Sequence, residues 1–114
     1  MRVRPLPKKW LIHSIVYEGY TGQKDAFQNP VYDDPITINH VRYDQSTVFS
    51  RDSAQTKIVA DGVIYVDAVN SSPVPEFREQ SKVTLNGREM IIKKVIPCYH
   101  PTKNKIHHWE LEVI

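Results

Sequence analysis

The chain has 114 residues, of which 40% are hydrophobic and 25% charged, the composition of one ordinary globular domain rather than a disordered segment. Residues 1–9 carry four basic groups, whereas residues 10–77 have a net charge of −5 and residues 78–105 a net charge of +5. Because Cys98 is the single cysteine and no apolar run resembles a secretory signal or a membrane helix, we expect a protein made in a reducing cytoplasm, with no membrane partner.

The first part of the chain alternates between β-type and turn-forming segments. Residues 10–17 are rich in aromatic and β-branched side chains and predict a strand, while residues 19–35 carry the glycines and prolines of a turn region. Residues 36–43 predict a second strand, whose apolar positions change face near Asn39 and His40. Such a change indicates a β-bulge, which bends a strand as a barrel requires.

Residues 45–56 are polar and predict a long projecting loop, with Val48 and Phe49 as apolar anchors. A loop of this length in a compact domain often has a function, so we expect it to make contacts during assembly or in a channel. The candidate residues in and beside it are Val48, Phe49, Arg51, Asp52, Gln55 and Lys57.

The longest apolar run, residues 57–69, predicts a central strand, because apolar residues occupy both the odd and the even positions and so lie on both faces of the strand. One of its faces must then be covered by a loop, a helix or a neighbouring subunit. The dipeptide Asp61-Gly62 predicts a bulge or kink within this strand. Residues 71–75 contain two prolines, which lack N–H donors, and are not expected to pair as a central strand.

The C-terminal part predicts a hairpin and a final strand. Asn86 and Gly87 favour the type I′ turn of a tight hairpin, with a return strand that runs to Pro97. Residues 106–114 alternate cleanly, which predicts a half-buried strand with its apolar side chains facing the core. The predicted fold is therefore mostly β: one domain over residues 1–114, a small barrel or sandwich of about six antiparallel strands with one long projecting loop.

No motif in the sequence predicts catalysis or a cofactor. There is no Gly-x-Ser-x-Gly turn, and the four glycines are scattered rather than clustered as phosphate-binding loops require. The adjacent His107 and His108 are expected to project from opposite sides of a strand. His100 can approach either of them, which supplies two metal ligands and no third. With Cys98 expected to be a buried packing residue, we predict neither an enzyme nor a metal site, and no small-molecule substrate.

Basic side chains define two candidate interaction surfaces. The N-terminal arm carries Arg2, Arg4, Lys8 and Lys9 and is expected to become ordered only on assembly. A possible basic interface comprises Lys82, Arg88, Lys93, Lys94, Lys103 and Lys105. These cations leave an alternative function open, a small β-barrel module that binds nucleic acid. The opposed charges of residues 10–77 and 78–105 also suit binding between copies of the chain, unless strand alternation scatters them over a solvated surface.

Five stretches of the chain are distinctive as whole runs: residues 5–13 (PLPKKWLIH), 48–53 (VFSRDS), 61–67 (DGVIYVD), 96–101 (IPCYHP) and 108–113 (HWELEV). Together they resemble a family of minor capsid proteins from phages and prophages of low-GC Gram-positive bacteria. The resemblance implies a virion structural protein similar to the head-completion or stopper class, small β-barrels that form a ring below the portal and close the channel after packaging. The partners it implies are portal and adaptor proteins, tail components and copies of the same chain, with packaged DNA contacted only non-specifically.

Overall fold

The structure is a computed structural model that describes residues 4–49 and 58–114. About 60% of the described residues lie in strands. The strands within the described ranges are β1 His13–Glu18, β2 Tyr20–Lys24, β3 Pro30–Tyr32, β4 Ile36–Phe49, β5 Ile58–Asp67, β6 Lys82–Leu85, β7 Arg88–Tyr99 and β8 Ile106–Val113. A short 3-10 helix, Lys8–Trp10, precedes them. Within the described ranges, no helix has the length and apolar character needed to cross a membrane.

Six antiparallel strands close into a barrel with the neighbour order β1-β4-β5-β8-β7-β6, which confirms the predicted fold class. The interior is filled by one face of each strand, as alternation of side chains requires. Leu111 and Val113 of β8 are fully buried, and the partly buried Trp109 packs against the core with its ring 5.7 Å from that of Phe77. The other buried apolar side chains of this core are Ile15, Tyr17, Ile38, Val41, Ile64, Val66, Phe77, Val83, Leu85, Met90 and Ile92.

The remaining strands, β2 and β3, form a separate two-stranded sheet inside the segment predicted as a turn region. The Asp25 carboxylate accepts the backbone N–H groups of Phe27 at 2.8 Å and Asn29 at 2.9 Å, which stabilises the turn between the two strands. The prediction missed this hairpin because glycine and proline content marks a turn without revealing the short strands beside it.

The predicted bulge in β4 is confirmed. His13 pairs with Val41 and Ile15 pairs with Ile38, so β4 holds one more residue than β1 between these pairs. His40 adopts a φ of 60°, the positive value that bulges often contain. A single bridge joins the neighbouring Asn39 to Ser72, which is the only ladder contact that the structure gives residues 71–75 in its described part.

Strand β4 is longer than predicted, and this corrects the start of the predicted loop. Its backbone pairs Val48 with Ala60 and Phe49 with Ile58, so residues 45–49 belong to a strand. The prediction missed this part of β4 because residues 45–47 are polar. They belong to a two-stranded extension of the sheet, in which side chains can remain in water. Residues 50–56 of the predicted loop, with Arg51, Asp52 and Gln55, lie outside the described residues, as does Lys57.

The hairpin at Asn86 and Gly87 has the predicted geometry. Their φ angles are 50° and 83°, both positive as a type I′ turn requires. Leu85 pairs with Arg88 and Val83 pairs with Met90, which is the predicted register. The turn dipeptide therefore determines which side chains of β6 and β7 enter the barrel.

Candidate functional surfaces

An N-terminal strap, residues 4–11, lies against the outside of the barrel. The Leu6 N–H donates to Asp67 Oδ1 at 2.9 Å, and the Asn70 side-chain amide donates to the Leu6 carbonyl at 2.7 Å. Leu11 is only 4% exposed. Leu6 and Leu11 line a cleft with Tyr65, a residue on the outward face of β5. The strap therefore covers part of the outward, apolar face of β5, which the sequence predicted to be covered by another element.

The expectation that the basic arm orders only on assembly is wrong for this strap, because tertiary hydrogen bonds already hold it. Arg4, Lys8 and Lys9 remain exposed on its outer side. Lys8 and Lys9 lie in the 3-10 helix, which ends with Trp10 before β1 begins at His13. The first strand is thus shorter than predicted, and Arg2 lies outside the described residues.

Asp67 is the residue that anchors the strap. Its side chain is fully buried, and its two carboxylate oxygens accept three backbone N–H groups, those of Leu6 at 2.9 Å and of Val69 and Asn70 at 2.8 Å. A buried carboxylate is tolerated where hydrogen bonds replace its water. Asp67 thereby ties the end of β5, the turn after it and the strap into one unit.

The six cations of the predicted basic interface do not form one groove. Arg88 lies at the start of β7, 4.0 Å from Asp61, while Lys103 and Lys105 are in the turn after β7 ends. A strand of this length spans roughly 40 Å, so these groups are at opposite ends of the barrel. Lys82 is half-buried and pairs with Glu18 at 3.5 Å. This separation does not favour a continuous nucleic-acid track.

The barrel order places unlike charges on opposite sides. In the cycle β1-β4-β5-β8-β7-β6, strands β6 and β7 lie across the barrel from β5 and β4, respectively. The β6–β7 side carries Lys93 and Lys94, both exposed, whereas the β4–β5 side carries the partly exposed carboxylate of Asp44, which pairs with Arg42 at 2.9 Å. Asp61 of β5 lies 4.0 Å from Arg88 of β7, so the two sides meet at that end of the barrel and their charges are only partly separated.

A cluster of three chemically different side chains, Cys98, His108 and Glu110, occupies the outer face of β7 and β8. Cys98 pairs with His108 across the two strands, and Glu110 is two residues further along β8. Cys98 Sγ is 2.9 Å from Glu110 Oε2, and His108 Nε2 is 3.8 Å from the same oxygen. One ligand atom from each residue lies within 4.8 Å of the others, and all three residues are half-buried.

The ionisation of the cluster follows from this partial burial. Burial raises the pKa of the Cys98 thiol to about 11, and the hydrogen bond and negative charge of Glu110 add to the effect. Burial also lowers the pKa of His108, with a further contribution from His107. Both groups are therefore neutral at neutral pH in the protein alone. Cys98 contacts Glu110 at the surface, and the expected role as a buried packing residue is wrong.

The two adjacent histidines meet, contrary to expectation. Tyr99 pairs with Ile106 and Cys98 pairs with His108, so His107 is an extra residue, a β-bulge in β8. A bulge disturbs the alternation of side chains, and here it brings His107 Nδ1 within 2.8 Å of His108 Nδ1. His107 Nε2 in turn contacts the Arg4 carbonyl of the strap at 2.7 Å. His100, proposed as the neighbouring ligand, is outside the cluster.

Sequence reasoning found both strands of this cluster but not the cluster itself. Its residues come together through the register of β7 and β8, and the connecting turn of residues 100–105 is too long to specify that register from its composition. The clean alternation of β8 did place His108 and Glu110 on one face. The register that places Cys98 of β7 beside this face of β8 was not predicted.

Comparison with known proteins gives one family. A family model described as minor capsid protein matches residues 7–113. The match spans the strap from Pro7 onward and all the strands that the structure describes. No curated protein and no solved structure gives a significant match to the chain.

Proposed function

Because the chain belongs to the minor capsid protein family, we propose that it acts at the head–tail junction of a tailed phage, as a ring below the portal. Membership of this family makes it a phage structural protein and indicates a component of the virion. A structural family also favours a role without catalysis. In the proposed role, the ring helps to retain packaged DNA and offers a surface to which the tail attaches.

The observation that carries the ring proposal is the distribution of charge around the barrel. A closed ring needs two unlike surfaces on each subunit, because neighbours meet head to tail. The β6–β7 side with Lys93 and Lys94 and the β4–β5 side with Asp44 are such a pair, because β7 and β4 lie across the barrel from each other. We propose that the first side of one subunit meets the second side of the next. Complementary charge favours this orientation over a symmetric dimer.

The remaining parts of the proposal concern the contacts of the ring with its neighbours. Residues 50–57 join β4 to β5, and we propose that Arg51, Asp52, Gln55 and Lys57 contact the channel or an adjoining protein. The exposed cations Arg4, Lys8 and Lys9 of the strap are proposed to contact the portal or adaptor. Packaged DNA would meet the ring only through non-specific attraction between phosphates and cations.

A charge-exchange experiment in a phage that lacks its own copy of the gene tests the ring. The double variant Lys93→Glu/Lys94→Glu should yield DNA-filled heads that lose their DNA or lack tails, because it places negative charge against negative charge. Adding Asp44→Lys to the same chain should restore infectious particles. The control Lys103→Glu/Lys105→Glu makes the same change of charge in the distant turn and should have a much smaller effect. Normal particles from the first variant would refute the proposed contact.

A separate measurement tests the nucleic-acid alternative. An independent binding module that contacts six or more phosphates should bind DNA tightly at about 50 mM salt and lose at least ~10³-fold in affinity at about 200 mM. The separation of the basic side chains along β7 leads us to expect weak binding to single- and double-stranded DNA at both salt concentrations. Tight, salt-sensitive binding by the isolated chain would favour the alternative instead.

A further inference from the structure

We propose that Cys98, His108 and Glu110 form a Zn²⁺ site on the outer face of β7 and β8. This site is independent of the ring, since it uses none of the charged residues assigned to the contact between subunits. It also differs from the expectation drawn from the sequence, which found two histidine ligands at most and no third.

The geometry of the three side chains suits a tetrahedral ion. Zinc lies about 2.0–2.3 Å from its sulfur, nitrogen and oxygen ligands, so ligand atoms around it are separated by roughly 3.3–3.7 Å. The separations of 2.9 Å between Cys98 Sγ and Glu110 Oε2 and of 3.8 Å between His108 Nε2 and Glu110 Oε2 lie on either side of this range. All three ligand atoms lie within 4.8 Å of one another, so adjustment of the side chains on two paired strands would bring them to these separations.

A chain of hydrogen bonds prepares His108 to act as a ligand. The Arg4 carbonyl can only accept, so His107 Nε2, 2.7 Å away, must carry a proton. When the His107 ring carries this single proton, its Nδ1 atom is an acceptor, and His108 Nδ1, 2.8 Å away, donates to it. This assignment leaves the lone pair of His108 on Nε2, the atom that faces Glu110. Metal-binding histidines commonly have such a partner on the nitrogen that does not bind the metal.

The mixture of ligands determines the class of ion. A thiolate and an imidazole favour zinc over magnesium or calcium, which prefer oxygen ligands. On binding, the Cys98 thiol gives up the proton that it shares with Glu110, this proton passes to solvent, and a Zn–S bond forms. The thiolate and the Glu110 carboxylate together balance the two positive charges of the ion. Three protein ligands leave the fourth position for water.

Zinc at this site would brace the barrel and the strap together. Cys98 belongs to β7 and His108 and Glu110 belong to β8, so the ion would cross-link the two strands. His107 connects the same site to the strap through Arg4. A ligand that binds only the folded chain raises its stability in proportion to the logarithm of the ligand concentration above the Kd.

The test uses the reduced, full-length protein without a histidine tag, with Co²⁺ as a spectroscopic probe and Zn²⁺ as competitor. One equivalent of Co²⁺ should produce the near-ultraviolet absorption of a cobalt–thiolate bond, and Zn²⁺ should remove it and raise the melting temperature. Cys98→Ser should abolish the absorption, while His108→Gln and Glu110→Gln should weaken binding at least tenfold. His107→Phe should weaken it by about 10–100-fold, since it removes the partner of His108.

The matched control is Glu112→Gln, which removes a carboxylate from the same face of β8 outside the cluster and should leave the binding of Co²⁺ unchanged. Circular dichroism confirms that each variant is folded. Absence of the thiolate absorption from the wild-type protein would overturn the proposal, and so would equal Zn²⁺ binding by wild type and Cys98→Ser. The wild-type measurement decides the question even if a variant does not fold.

Discussion

Replacement of Asp67 by alanine should destabilise the protein and release the strap. The change removes a fully buried carboxylate that accepts three backbone N–H groups. Each hydrogen bond to a charged group contributes roughly 1.5–3 kcal/mol when it is protected from water. The three hydrogen bonds to Asp67 are all partly buried, so water can replace part of each one in the variant. The expected loss is therefore about 3 kcal/mol, below the sum for three fully protected bonds.

Two measurements on the same variant check this value. Urea unfolding followed by circular dichroism should show the loss of stability, and the melting temperature should fall by roughly 10–15 °C for a domain of this size. Trypsin under native conditions should cleave after Lys8 and Lys9 faster than in the wild type, because the strap has lost its anchor. Asp67→Asn keeps one acceptor oxygen and should show a smaller loss than Asp67→Ala.

The control for Asp67 is Asp25→Ala, which also removes a carboxylate that accepts backbone N–H groups. Asp25 is exposed in the β2–β3 turn, outside the barrel, so its loss should hardly change the unfolding of the core. If Asp67→Ala unfolded within about 0.5 kcal/mol of the wild type, the size of an ordinary surface change, the role of this carboxylate would be refuted. Unchanged cleavage by trypsin would show that the strap is held by other contacts.

Three further outcomes are expected. Gly62→Ala should lower the free energy of unfolding in urea by about 1–3 kcal/mol, because the new Cβ would lie 2.5 Å from the Tyr43 ring. In the double variant, Tyr43→Ala should relieve the loss caused by Gly62→Ala. Phe77→Ala should lower the stability by about 3–5 kcal/mol in the same assay, since the Phe77 ring is only 9% exposed and packs against the rings of Tyr17 and Trp109. Hydrogen bonds from the backbone N–H groups of Asn29 and Phe27 lower the pKa of Asp25. The β2–β3 turn should therefore stay ordered at pH values above the usual aspartate pKa and loosen as the pH falls through the lowered pKa. The NMR chemical shifts of the turn amides, followed against pH, measure this change.

Each of these outcomes has a clear contradiction. A Gly62→Ala protein as stable as wild type would mean that the Tyr43 ring moves aside without cost. A loss of stability below about 1 kcal/mol for Phe77→Ala would mean that the Phe77 ring is not tightly packed in the core. If the turn amides shifted with a midpoint at or above the ordinary aspartate pKa, the bonds to Asp25 would not be formed in solution.

Elements with a local cause could be read from the sequence. Asn86 and Gly87 tolerate the positive φ angles of their turn, so hairpin and register were both predictable. The change of apolar face near His40 indicated the bulge, and the alternation around Leu111 indicated which face of β8 is buried. The β2–β3 hairpin and the extension of β4 over residues 44–47 were missed because these segments have no buried face, so no apolar pattern marks them.

The sequence by itself therefore determined the mostly-β class, the tightest hairpin and the resemblance to minor capsid proteins, because these depend on residues close together in the chain. Only the tertiary structure decided that the strap is held by Asp67 and that Cys98 meets His108 and Glu110. These contacts join segments separated by long turns or by most of the chain. Their register follows from the packing and bulges of the whole barrel, and no short stretch of sequence contains that information.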